Sequence, residues 1–83
     1  MAEKKRIAQY RAEYEENRDA LRKEAEYLEI LAQELQSYAG MEEMEAASGR
    51  LPLAITALEQ CERYIKNAKA LSKKGNLTTG GKR

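Results

Sequence analysis

Histidine, tryptophan and phenylalanine are missing from this chain of 83 residues, and cysteine and proline occur once each. The missing histidine removes the commonest general base and the commonest metal ligand. One cysteine makes no intramolecular disulfide framework, and without histidine it makes no zinc site. No apolar run approaches the roughly 18 residues that a membrane span needs, and no apolar core of a secretory signal is present. There is no Walker loop, and the Gly80-Gly81 pair has no strand before it. Charge of one sign is also missing. Lys and Arg number 15 against 14 Asp and Glu, a net +1 that exerts no global pull toward nucleic acid or membrane. These absences predict a soluble cytoplasmic chain of one domain, with no enzymatic activity, no metal and no cofactor.

What is present is helix-forming. Residues 3–39 contain neither Gly nor Pro and are dominated by Ala, Glu, Leu, Lys, Arg and Gln. Ile7, Tyr10, Tyr14, Asn17, Leu21, Glu24, Leu28, Leu31, Leu35 and Tyr38 alternate spacings of 3 and 4, which is a heptad seam. Ala20, Ala25 and Ala32 widen its flanks, and Gly40 offers a C-terminal stop. The expectation is one helix over about 3–39, roughly 50 Å long. Residues 40–49 lie between two glycines and read as the chain reversal. A second helix is expected over about 50–74, with Pro52 tolerated in its first turn and an apolar set of Leu51, Ala54, Ile55, Leu58, Cys61, Ile65, Ala68 and Leu71. Residues 75–83 read as a disordered basic tail.

The fold expected is all-α: an antiparallel two-helix hairpin with a long first helix. In it Tyr38 pairs with Leu51, Leu31 with Leu58, and Leu21 with Ala68. The second helix then runs out near Asn17, and Ile7, Tyr10 and Tyr14 project beyond it. Two helices close no core, and a chain this short without staples usually assembles. A homo-oligomeric helical bundle is therefore expected. Glu24 in the seam should be exposed or meet Lys66 or Lys69, because a buried unpaired carboxylate is costly.

Charge is split along the chain. Residues 1–49 carry 7 basic and 12 acidic groups, and residues 50–83 carry 8 basic and 2 acidic. An acidic first helix against a basic second one explains the split more simply than nucleic-acid binding does. All five aromatics are tyrosine. Tyr10 and Tyr14 stand beside Arg11 and Arg18, and rings that stack a base next to cations that meet phosphate are what a nucleotide pocket needs. The plainer reading is that these tyrosines pack between subunits. Paired carboxylates such as Glu15 and Asp19 read as a solvated helix face. Glu42, Glu43 and Glu45 lack the glycine-containing, oxygen-rich loop of a calcium site. Cys61 reads as a small apolar packing residue rather than a nucleophile.

The segment Arg50-Leu51-Pro52-Leu53-Ala54-Ile55-Thr56-Ala57-Leu58-Glu59 resembles the second-helix pattern of the phage anti-CBASS nucleotide-sponge family, roughly R-x-x-L-A-I-T-x-L-E. Tyr64 and Ala68 fit its continuation loosely. The resemblance covers about ten residues closely and about twenty loosely. It implies short helical hairpins that assemble, as hexamers in the better-known members. It also implies the sequestration, without degradation, of cyclic oligonucleotide second messengers of bacterial anti-phage immunity, in the host cytoplasm. The ligand would be a cyclic dinucleotide such as cGAMP, or a cyclic trinucleotide. Matched to the motif, Arg50 and Thr56 would hold the ligand, with Tyr10, Tyr14, Arg11 and Arg18 offered by the first helix. The family's first-helix lysine has no counterpart at the expected spacing, and Arg18, Arg22 or Lys23 could stand in for it. Thr56 is expected one turn into its helix, near the end that favours anions. Otherwise Arg50 would meet Glu43 or Glu45 in the turn, and Thr56 would face solvent or its own helix carbonyl. The alternative to a sponge is a coiled-coil hairpin acting as a protein-interaction or nucleic-acid-binding regulator.

Overall fold

The computed structural model describes residues 2–75, and side chains from Arg6 onward. It is an all-helical antiparallel hairpin: α1, Ala2–Gly40, and α2, Met44–Lys74. The expected tail lies outside the described residues, apart from Gly75 at the C-cap of α2. The chain is long and thin, with extents of 61 × 23 × 14 Å. The smallest extent is close to the diameter of one helix with its side chains, so the hairpin is a single layer.

The reversal takes three residues, Met41–Glu43, instead of ten. The Glu43 amide donates to the Tyr38 carbonyl at 2.8 Å and the Glu42 amide to Ala39 at 3.0 Å. That crossed pair is the Schellman arrangement, which satisfies the last carbonyls of α1. Its left-handed position, with φ of 57°, is occupied by Glu42. A residue with a Cβ costs about 1 kcal/mol there. The glycine expected to stop the helix, Gly40, is its last residue, two positions too early to serve.

α2 thus starts six residues before position 50, because Met44 and the helix-forming Ala46 and Ala47 continue straight into the next segment. Gly49 and Pro52 lie inside the helix rather than at its start. Pro52 cannot donate to the Ser48 carbonyl, a loss that costs up to ~3 kcal/mol in a helix interior.

The short turn also moves the register. Asn67 donates to Asn17 at 3.3 Å, and Arg50 reaches Glu34 at 2.7 Å. Residues 17 to 34 of α1 therefore run against 67 to 50 of α2, the same interval on both helices. Lys74 comes level with Tyr10. The expected overhang shrinks: Tyr14 is covered by α2, and Ile7 remains 46% exposed. Asn17 fits the seam by donating to the Glu13 carbonyl at 2.8 Å while accepting from Asn67. Glu24 is half-buried, and among the described residues it has no ion pair, since Lys66 meets Glu62 instead.

The face of α2 that meets α1 differs in part from the expected one: Ala54, Cys61, Ala68 and Leu71 are covered as expected. Its covered positions are Ala47, Arg50, Ala54, Ala57, Cys61, Tyr64, Ala68 and Leu71, again at alternating spacings of 3 and 4. Leu51, Ile55, Leu58 and Ile65 are 44–57% exposed. The reason is volume. α1 presents Leu21, Leu28, Leu31, Leu35 and Tyr38, and small residues opposite let the helices approach and interlock. Leu31 and Ala57 are the buried apolar residues at the centre.

Candidate functional site

At the open end of the hairpin, opposite the turn, the two helices leave a groove of about 660 Å³. That lies within the usual range for small-molecule sites, about 300–1,000 Å³. Leu21, Ile65 and Ala68 form its apolar floor. Tyr14 and Asn17 come from α1, and three cations stand on the walls: Arg18 from α1, Lys69 and Lys73 from α2. Among the described residues, no carboxylate lines it. Arg18 is held 3.2 Å from Asp19 in an exposed pair, a contact worth little. Among the described residues, neither Lys69 nor Lys73 is in an ion pair. The groove therefore offers one aromatic face, one amide and three positive charges around an apolar floor.

Two of the residues singled out from sequence, Tyr14 and Arg18, meet in this groove. Tyr10 and Arg11 lie one turn further toward the N-terminus and do not line it. Tyr10 is half-buried, and Arg11 pairs with Glu15 at 3.3 Å. Lys69, Lys73 and Asn17 were not among the candidate ligand-binding residues. Placing the two lysines on the groove beside Tyr14 requires the face that α2 turns to α1, which the apolar pattern alone leaves open.

Arg50 and Thr56 are elsewhere. Arg50 is level with Glu34, twenty residues along α1 from Tyr14, or about 30 Å. Its guanidinium packs on the Tyr38 ring, 5.7 Å from the centroid, and donates to the Tyr38 hydroxyl at 3.3 Å. Its Nε lies 2.7 Å from the Glu34 carboxylate, but the N–H is not aimed along that contact. We read the contact as an ion pair rather than a hydrogen bond. The Glu34 charge, then Tyr38, raises the Arg50 pKa above its ordinary value, so the cation persists at every physiological pH. The expected partners Glu43 and Glu45 are not used.

Thr56 is exposed and twelve residues beyond Met44, more than three turns into α2. The positive end of the helix lies at the turn, and its influence fades within the first turn. The anion-favouring position expected for Thr56 is therefore lost. Six positions separate Arg50 from Thr56, which puts them about 120° apart around the helix. One chain does not bring them together.

Among the described residues no group of three or more acidic or thiol side chains could hold a metal ion, and no helix is long and apolar enough to cross a membrane. Cys61 sits half-buried in the seam as a free thiol. Comparisons with protein-family models, with curated proteins and with solved structures find no match.

Proposed function

We propose that this chain is a binding protein that sequesters a cyclic oligonucleotide, a cyclic dinucleotide such as cGAMP in the first instance, and holds it without degrading it. The single observation that carries this reading is the groove in which Tyr14 stands among Arg18, Lys69 and Lys73, with no carboxylate among the described residues that line it. A cyclic dinucleotide brings two phosphate charges and two bases. The ring of Tyr14 supplies a stacking face, worth about 1–3 kcal/mol per base. Arg18 can meet a phosphate in bidentate fashion, and the lysines act as mobile point charges. The resemblance of residues 50–59 to the nucleotide-sponge family supports the same class of ligand.

Arg50 and Thr56 enter this reading as a second site, for a cyclic trinucleotide, completed by another copy of the chain. The homo-oligomer, a hexamer by the resemblance, is part of the proposal. The exposed apolar residues of α2 favour one other reading, a hairpin whose role is protein association alone.

Calorimetric titration of a panel of cyclic di- and trinucleotides tests the proposal. Submicromolar binding is expected, with the ligand recovered chemically intact after denaturation. Tyr14→Ala should weaken a dinucleotide at least tenfold, since one lost stack removes about 1–3 kcal/mol. The Lys69→Glu, Lys73→Glu double variant should abolish binding. No heat with any ligand, from a folded and assembled sample, sinks the proposal and leaves the association reading.

A further inference from the structure

On α2, Met44, Leu51, Leu58 and Ile65 recur at seven-residue intervals, each one position after a residue of the packed seam or of its continuation, and Ile55 lies between them. All five are 44–58% exposed. Seven-residue spacing keeps Met44, Leu51, Leu58 and Ile65 on one line along the helix, and Ile55 lies about 50° to the outer side of it. Ile65 also forms part of the Tyr14 groove, so this flank is the side on which the groove opens. On α1 the same side carries Ala25, Ala32 and Ala39, at the interval that Arg18 begins. Those alanines are exposed and short beside the large residues of α2.

We propose that a second copy of this chain docks on this flank, antiparallel, about a two-fold axis at Ile55. The spacing chooses the occupant. Read from Met44 to Ile65 the intervals are 7, 4, 3 and 7; read backwards they are 7, 3, 4 and 7. An antiparallel copy therefore sets Met44 against Ile65, Leu51 against Leu58, and Ile55 beside its own equivalent. A two-fold contact requires such self-complementarity, and an unrelated partner gives no reason for it.

Charge makes the same choice. The turn end carries Glu42, Glu43 and Glu45, all exposed, and the other end of α2 carries Lys66, Lys69, Lys73 and Lys74. Antiparallel docking lays the acidic turn of each copy level with Lys66 of the other, Glu43 opposite it, and leaves Lys69 level with Gly40. Parallel docking would stack like charge on like at both ends. The stripe from Met44 to Ile65 is about 32 Å long, and a second layer along it would give a core to a hairpin whose buried apolar residues are Leu31 and Ala57.

The contact shares Ile65 with the Tyr14 groove, but cross-linking reads the assembly and calorimetry reads the pocket, so failure of one is distinguishable from failure of the other. In a two-fold contact only residues at the axis can link to their own equivalents, since a disulfide needs Cβ atoms about 4 Å apart. In a Cys61→Ala background, Ile55→Cys should oxidise to a covalent dimer in high yield. Ile30→Cys, 53% exposed on the opposite flank, should not. Leu51→Cys and Leu58→Cys chains should link when mixed and stay unlinked alone. Ile55→Glu, which touches nothing in the hairpin's own seam, should reduce the mass in light scattering with helicity unchanged. A single-chain mass at millimolar concentration overturns the proposal. So does an assembled sample in which Ile55→Cys stays unlinked, or in which Leu51→Cys links to itself.

Discussion

The two apolar sides of α2 obey opposite rules. The inner side carries small residues at every seventh position, Ala47, Ala54, Cys61 and Ala68, with Ala57 buried beside them, and is covered by α1 together with Arg50, Tyr64 and Leu71; the flank beside it carries Leu51, Ile55, Leu58 and Ile65 and is open. Hydrophobicity says that a side chain gains by leaving water, about 25 cal/mol per Å². It does not say which surface covers it. Where the facing helix already supplies leucines, fit selects alanine for the contact. The larger residues are then left for another occupant.

Substitutions on the two sides should separate these roles. The largest effect is expected at Leu31, the large residue buried against the alanine side. Leu31→Ala removes a packed side chain and should destabilise by about 2–5 kcal/mol, read as the loss in unfolding free energy in urea. Pro52→Ala should act in the opposite direction, by up to ~3 kcal/mol, because it restores the amide that the helix interior lacks. A rise in Tm with unchanged mass would confirm it, whereas no change would mean that the helix already accommodates the ring. Ala57→Leu should cost about 1–3 kcal/mol through overpacking, although it makes the chain more hydrophobic. If it stabilised instead, the small-residue side would not be a fitted contact. Glu42→Gly should add about 1 kcal/mol by relieving the left-handed residue in the turn. Smallest is Leu58→Ser on the flank. In dilute protein it should shift unfolding by no more than about 0.5 kcal/mol, while removing any dependence of Tm on chain concentration.

Much of the fold is legible in the sequence, and the missing part has one origin. The α1 seam is plain because its leucines and tyrosines repeat at helical spacing without competition. On α2 two heptad lines run side by side, one rich in small residues and one of large aliphatics, and hydrophobicity alone merges them: the expected set takes Ala54, Cys61, Ala68 and Leu71 from the covered line and Leu51, Ile55, Leu58 and Ile65 from the open one. Gly40, Gly49 and Pro52 then exaggerate the turn, since each usually marks a boundary. The turn closes instead on Glu42, a residue with no turn signature. The error carries into the groove. Tyr14 and Arg18 are recognisable together because they are one helical turn apart. Lys69 and Lys73 join them only once the face that α2 turns to α1 is known, since that face decides which flank the lysines stand on. Arg50 stands out in the sequence by its motif, but the motif does not disclose that Glu34 and Tyr38 hold it in the hairpin.

Pro52 has a consequence in time as well as in energy. The bond it deletes is one that would tie the start of α2 to the rest of the helix, and Gly49 loosens the same stretch from within. Residues 44–51 are thus joined to the remainder mainly through Arg50 and the alanine seam. Amides there should exchange with solvent earlier than those of 57–68, as one small cooperative unit that opens while the rest of the hairpin stays closed. The hairpin would breathe from its closed end, and the groove at the open end would keep its shape while it does.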